Sequence, residues 1–224
     1  MLLAVCDAKY KFTLVDIGAR GRRSDSGIFM DSEFGKKFER NEMNVPPPAY
    51  IGQQNRFLCP YFLVADEAFP LKHYIMRPYP KRNLTIAQLI YNYRLSRARR
   101  MIENCFGILA SKWRIFRKPI IGSVETAKSI VEACICLHNW LRIDDEKNKP
   151  SMRYLTADLV DREVTGGVQL NGSWRGLQGG AFSDITRAGS NNYVQEISKI
   201  RENLTKYFMN EGEVDWQYAY CTTH

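Results

Sequence analysis

The chain has 224 residues, 45% of them hydrophobic and 25% charged, with a formal net charge of +8. That length and apolar content support one sizeable domain with a buried core and argue against wholesale disorder. No apolar run reaches the roughly 18 residues that crossing a bilayer requires, and the opening MLLAVCDAKYKF lacks the basic start and cleavage site of a signal peptide, so an intracellular protein is expected.

Leu2 to Cys6 is continuously apolar, the pattern of a strand buried on both faces. After a turn at Asp7-Ala8-Lys9, Tyr10 to Ile17 is rich in β-branched and aromatic residues and completes a β-hairpin. Gly18 and Gly21 mark a loop carrying Arg20, Arg22 and Arg23. Asp25 suits a helix N-cap, with the helix continuing to about Glu39. Asn41 to Arg56, with its three consecutive prolines, reads as loop. Tyr61 to Val64 reads as a buried strand ending at Asp66, and Pro70, Pro78 and Pro80 break the next stretch into irregular loop.

A long helix is expected from about Thr85. Leu95, Ala98, Ile102, Cys105, Leu109 and Trp113 fall on one face, and Arg94, Arg97 and Arg100 on another. Ser123 starts a further helix whose apolar stripe is Val124, Ala127, Val131, Cys134, Leu137 or His138, and Leu141. Residues 144–190 are Gly-rich and polar without a sustained period, which predicts a flexible linker. A last amphipathic helix is expected over Tyr193 to Met209, with Val194, Ile197, Ile200, Leu204 and Phe208 or Tyr207 inward. The expected division is a domain over 1–143, the linker over 144–190, and a helix with tail over 191–224. Its class is α/β with a mixed sheet.

The six cysteines include no Cys-x-x-Cys pair and only three histidines accompany them, so a zinc site is not expected. Charge is unevenly placed. Between Lys72 and Lys118 there are twelve Lys or Arg and one acid, Glu103, giving +11 there and −3 for the remainder. Such a segment fits a polyanion partner or a solvated basic face. Asp66 stands where ligands gather in open α/β sheets, or simply forms the turn after its strand. Glu103 is either paired with Arg99 one helical turn away or a ligand for a divalent cation facing phosphate. His138, with no second histidine nearby, reads as a packed helix residue.

Several blocks carry a resemblance. Leu63-Val64-Ala65-Asp66-Glu67-Ala68-Phe69-Pro70-Leu71, with Met76-Arg77-Pro78-Tyr79 after it, resembles the second catalytic block of PIF/Harbinger-type transposases. Asn92-Tyr93-Arg94-Leu95-Ser96-Arg97-Ala98-Arg99, running on to Ile102-Glu103-Asn104-Cys105-Phe106-Gly107-Ile108-Leu109 and Trp113-Arg114-Ile115-Phe116, is similar to the block holding that family's catalytic glutamate. Cys136-Leu137-His138-Asn139 matches its next helix. Gly21-Arg22-Arg23-Ser24-Asp25 resembles a further block whose aspartate is treated as a metal ligand. The likeness covers about residues 1 to 142.

The resemblance implies a ribonuclease H-like fold, a mixed sheet flanked by helices. It implies a DDE-type DNA nuclease using Mg²⁺ or Mn²⁺, acting in the nucleus and also allowed in the cytoplasm. Asp66 and Glu103 map onto the family's second and third catalytic acids, and Asp25 onto an additional metal ligand. Arg94, Arg97, Arg99 and Arg100 become candidates for contacts to the DNA backbone. A separate Myb-like DNA-binding protein is the partner that the resemblance brings with it. The family's first strand and first aspartate precede this hairpin, so the sequence is expected to lack them and to be inactive alone. A non-catalytic DNA- or protein-binding remnant is the competing reading.

Overall fold

The computed structural model describes residues 1–19, 24–164, 168–176 and 195–218. Among the described residues the chain is α/β, with five α-helices and four sheets of two strands each. It divides into two compact units. Among the described residues one comprises 1–19, 100–164 and 168–176, and the other 24–99 and 195–218.

The first unit begins with the expected hairpin. Strand β1 (Leu2–Cys6) pairs antiparallel with β2 (Phe12–Ile17), with an irregularity between Val5 and Cys6. The Asp7 carboxylate accepts the Lys9 and Lys11 backbone N–H groups at 2.8 and 2.9 Å and so forms the turn, while Tyr10 takes a positive φ of 62°. Contrary to the two-face burial expected of β1, all five of its residues are half-buried.

The C-terminal half of the long helix α3 (Ile86–Lys112) and helix α4 (Val124–Asp144) cover the hairpin. Phe12, Cys105, Leu109, Phe116, Cys134 and Ile135 form the unit's main core. Ser123 caps α4 by accepting the Thr126 N–H. Of the alternatives on α4, His138 is fully buried and Leu137 is exposed. Two side chains tie α4 to the hairpin. Asn139 accepts the Phe12 N–H at 2.9 Å and donates to the Phe12 carbonyl at 2.8 Å, acting as a strand neighbour would. His138 Nε2 donates to the Tyr10 carbonyl at 2.7 Å, and its Nδ1 lies 3.0 Å from the Tyr154 hydroxyl. Burial holds the His138 pKa below its usual value.

The segment expected as linker holds packed structure instead. It carries a 3-10 turn at Pro150–Met152, strands β7 (Arg162–Val164) and β8 (Val168–Leu170), and a second 3-10 turn at Ser173–Gly176. Leu159 and Val160 are buried against Ile108. Residues 177–190 of that stretch, Tyr193 and Val194 of the last expected helix, and Arg20, Arg22 and Arg23 lie outside the described residues.

In the second unit, α1 (Asp25–Asp31) and α2 (Glu33–Glu39) replace the single helix expected there. Ser24 and Ser32 are their N-caps. Asp25 is the first helical residue and not the cap: the hydroxyl one position earlier takes the Gly27 N–H. Strands β3 (Ala49–Ile51) and β4 (Phe57–Cys59) make a hairpin where loop was expected. Strand β5 (Leu63–Val64) pairs parallel with β6 (Ile75–Met76). Thr85 and Gln88 form a capping box at the start of α3, with mutual hydrogen bonds of 3.0 and 3.3 Å. Helix α5 (Gln195–Phe208) supplies Leu204, Ile197, Ile200 and Phe208 to a core with Met76, Tyr91 and Leu95. Ala98, expected inward, is exposed. No described helix is long and apolar enough to cross a membrane.

Candidate functional site

The candidate residues fall in both units. In the second, β5 ends at Val64 and Asp66 lies in the turn beyond it. Its carboxylate accepts the Ala68 N–H at 2.9 Å. The buried Arg77 donates to the carbonyls of Glu67 and Phe69, at 3.3 and 2.9 Å, and pins that turn from below. The Asp-Glu-Ala-Phe block and the Met-Arg-Pro-Tyr block are thus one structure, joined also by the Ala65 N–H to the Met76 carbonyl at 3.0 Å. Asn92 repeats the device of Asn139, accepting the Tyr79 N–H at 2.7 Å and donating to its carbonyl at 3.0 Å. Asp25 sits in the first turn of α1, where the helix macrodipole favours a carboxylate.

The arginines divide. Arg94 donates to the Gly212 carbonyl and to Gln217 Oε1, and its guanidinium lies 4.0 Å from the centre of the Phe208 ring. Burial lowers its pKa. Arg97 stacks 3.5 Å from the centre of the Trp216 ring. Both are half-buried and serve the packing of their own unit, a use that a charge count cannot show. Arg99 and Arg100 are half-buried as well, and Arg100 contributes to the field at Asp161.

In the first unit, Glu103 stands on α3 with its side chain 27% exposed, and Nη2 of Arg175 lies 3.3 Å from its Oε2. Arg175 is itself anchored. Its Nε donates to both carboxylate oxygens of Asp161 at 2.9 Å, and Nη2 reaches Oδ2 as well. The Asp161 side chain is fully buried and also accepts the Gly172 N–H at 2.8 Å. Burial alone would push the Asp161 carboxyl up. The Arg175 and Gly172 hydrogen bonds, with the charges of Arg175 and Arg100, outweigh it and hold the group below the usual carboxylate range.

Asn104, buried next to Glu103, accepts from the Asp161 N–H and from Trp174 Nε1, each at 3.0 Å. Gly107, one turn on, leaves the room into which the Trp174 indole fits. Asp161, Trp174 and Arg175 come from the stretch expected as linker. The signal that could have found them is the presence of Trp174 and of Leu159-Val160 in an otherwise polar stretch, residues that are seldom left in solvent.

Carboxylates are the donors that Mg²⁺ and Mn²⁺ take, so Asp25, Asp66 and Glu103 fit such an ion in kind. Number is what a single unit lacks. Asp25 and Asp66 belong to one unit and Glu103 to the other. Within either unit, among the described residues, no three His, Cys, Asp or Glu side chains gather to hold a metal ion.

A family model described as DDE superfamily endonuclease matches residues 1–139. A protein described as ALP1-like, from Arabidopsis thaliana, is 24% identical over 139 residues, which cover 62% of this chain and 34% of that protein. The chain therefore spans about a third of the length of that relative. No solved structure matches.

Proposed function

Since this chain belongs to the DDE superfamily endonucleases, we propose that it handles DNA as part of a divalent-metal-dependent nuclease of PIF/Harbinger transposase origin. The observation that carries this is the extent of the family match: residues 1–139 enclose both Asp66 and Glu103, and Asp25 with them. In this reading the three carboxylates hold Mg²⁺ or Mn²⁺, in a ribonuclease H-like arrangement. The ion, when bound, would polarise a phosphodiester and activate the attacking oxygen. The chain's own residues do the rest. Arg77 fixes the Asp66 turn, and Asp161 with Arg175 fixes the charge beside Glu103. Arg94, Arg97, Arg99 and Arg100 are the candidates for DNA backbone contacts, with Arg94 and Arg97 also packed on the Phe208 and Trp216 rings. Action in the nucleus, beside a Myb-like DNA-binding partner, completes the proposal.

A second reading, a non-catalytic remnant that binds DNA or protein, is favoured by one feature: Glu103 already shares a guanidinium with Asp161. Nicking and binding of plasmid DNA, measured together with and without Mn²⁺, separate the two. Metal-dependent nicking that Glu103→Gln and Asp66→Asn abolish supports the nuclease. Salt-sensitive binding that Mn²⁺ leaves unchanged, with no nicking, supports the remnant; Mn²⁺-dependent binding weakened by Asp66→Asn and Glu103→Gln supports the nuclease.

A further inference from the structure

We propose that Arg175 is a phosphate-contacting residue, held ready by Asp161 to meet the nucleic-acid backbone beside Glu103. A guanidinium carries five N–H donors in one rigid plane. Here the Nε–H goes to Asp161, and Nη2 is shared between Asp161 and Glu103. Nη1 makes no hydrogen bond among the described residues, although 36% of the side chain is exposed. Two donors of one fixed plane therefore remain for an outside acceptor.

The plane is fixed on three sides. Asp161, fully buried, grips one edge; the Trp174 ring lies 4.4 Å from the guanidinium carbon; and Asn104 ties Trp174 and the Asp161 backbone to α3. An arginine needed only to neutralise Asp161 would be satisfied by that contact alone. This one is also directed at the only acid of the basic segment 72–118. Pre-ordering removes the rotamer entropy that a loose arginine would lose on binding. The ligand class is a phosphodiester oxygen, which guanidinium recognises with short, charge-assisted hydrogen bonds.

Arg175 has this role only if the chain engages DNA as proposed above, and the test separates the two. Affinity for a random duplex is measured between about 50 and 200 mM salt. Loss of one phosphate contact reduces the logarithmic salt slope by about one. Arg175→Gln is thus expected to lose about threefold less affinity across that range than the unaltered chain does. A folded Arg175→Gln with an unchanged slope overturns the role of Arg175 and leaves the DNA reading standing. An unaltered chain that binds no duplex, or binds with no salt dependence, overturns both.

Should Arg175→Gln fail to fold, phenylglyoxal modification of the unaltered chain, mapped by mass spectrometry, answers the same question. Arg175 should react in the absence of DNA and be protected at saturating duplex. Equal modification with and without duplex, or no modification in either state, overturns the proposal.

Discussion

Arg175 and Glu103 lie 72 residues apart in sequence, yet their side chains meet through Nη2 and Oε2 at 3.3 Å. The contact makes a segment without sequence period part of the surroundings of Glu103. It also makes stability and site inseparable here, because the same guanidinium neutralises the fully buried Asp161.

Removing Arg175 outright should therefore be costly. Arg175→Ala leaves a buried carboxylate without its counter-charge, a loss of about 3–5 kcal/mol, readable as a shift of the urea midpoint. Asp161 has its folded pKa depressed, so the stability it contributes is present above the ordinary carboxylate pKa of about 3.9 and lost as pH falls through the lower folded value. Titration of stability below pH 4 should be visibly shallower in Asp161→Asn. Equal slopes in the two proteins would contradict the assignment.

His138 predicts a second pH dependence, at a different window. Its folded pKa is lowered by burial, so the neutral ring is favoured in the folded state and the unfolded chain protonates first. Stability is full above about pH 6.5 and declines below it, by up to about 1.4 kcal/mol per pH unit until the folded group also titrates. Unfolding at pH 7 and pH 5.5 should show the loss, and His138→Gln should remove it.

Asn139 is expected to matter more than its polar character suggests. Substitution by Ala strands the N–H and carbonyl of Phe12, at the start of β2, where Phe12 is buried. At about 1–3 kcal/mol for each of the two unpaired groups, Asn139→Ala should cost about 2–6 kcal/mol. A cost under about 0.5 kcal/mol for Asn139→Ala would mean that water replaces the amide.

Gly107 tests the clasp on α3. A Cβ there would stand 2.3 Å from Cδ2 of the Trp174 ring, so Gly107→Ala must expel the indole. The expected result is a red-shifted emission and a loss of about 1–3 kcal/mol, as for an overpacked core. The shift should vanish in a Trp174→Phe background.

The elements readable in the sequence are those with a period or a cap. The Leu2–Ile17 hairpin, the helix after Thr85 and the helix after Ser123 announce themselves through apolar runs, 3.6-residue spacing and a capping hydroxyl. Asp25 is the cap expected from the sequence, and one hydrogen bond gives that role to Ser24. Strands β3 and β4 are three residues each, too short to show alternation. The packing of the basic face of α3 is hidden for another reason. The partners of Arg94 and Arg97 are Phe208, Gln217 and Trp216, more than a hundred residues on, and proximity of that kind leaves no local pattern. A site role for Asp66 and Glu103 is suggested only by the blocks around them, since Asp66 alone also reads as the turn residue that it is.

Binding of Mn²⁺ is the measurement closest to the central claim, that Asp66 and Glu103 are the metal-holding acids of a DDE nuclease. Loss of the free-ion electron paramagnetic resonance signal on titration reports it without any need for turnover. The unaltered chain should bind Mn²⁺, and Asp66→Asn and Glu103→Gln should each weaken that binding by at least about tenfold, the effect seen even for residues one step removed from a metal. The same affinity in all three proteins, or none in the unaltered chain, would contradict the claim.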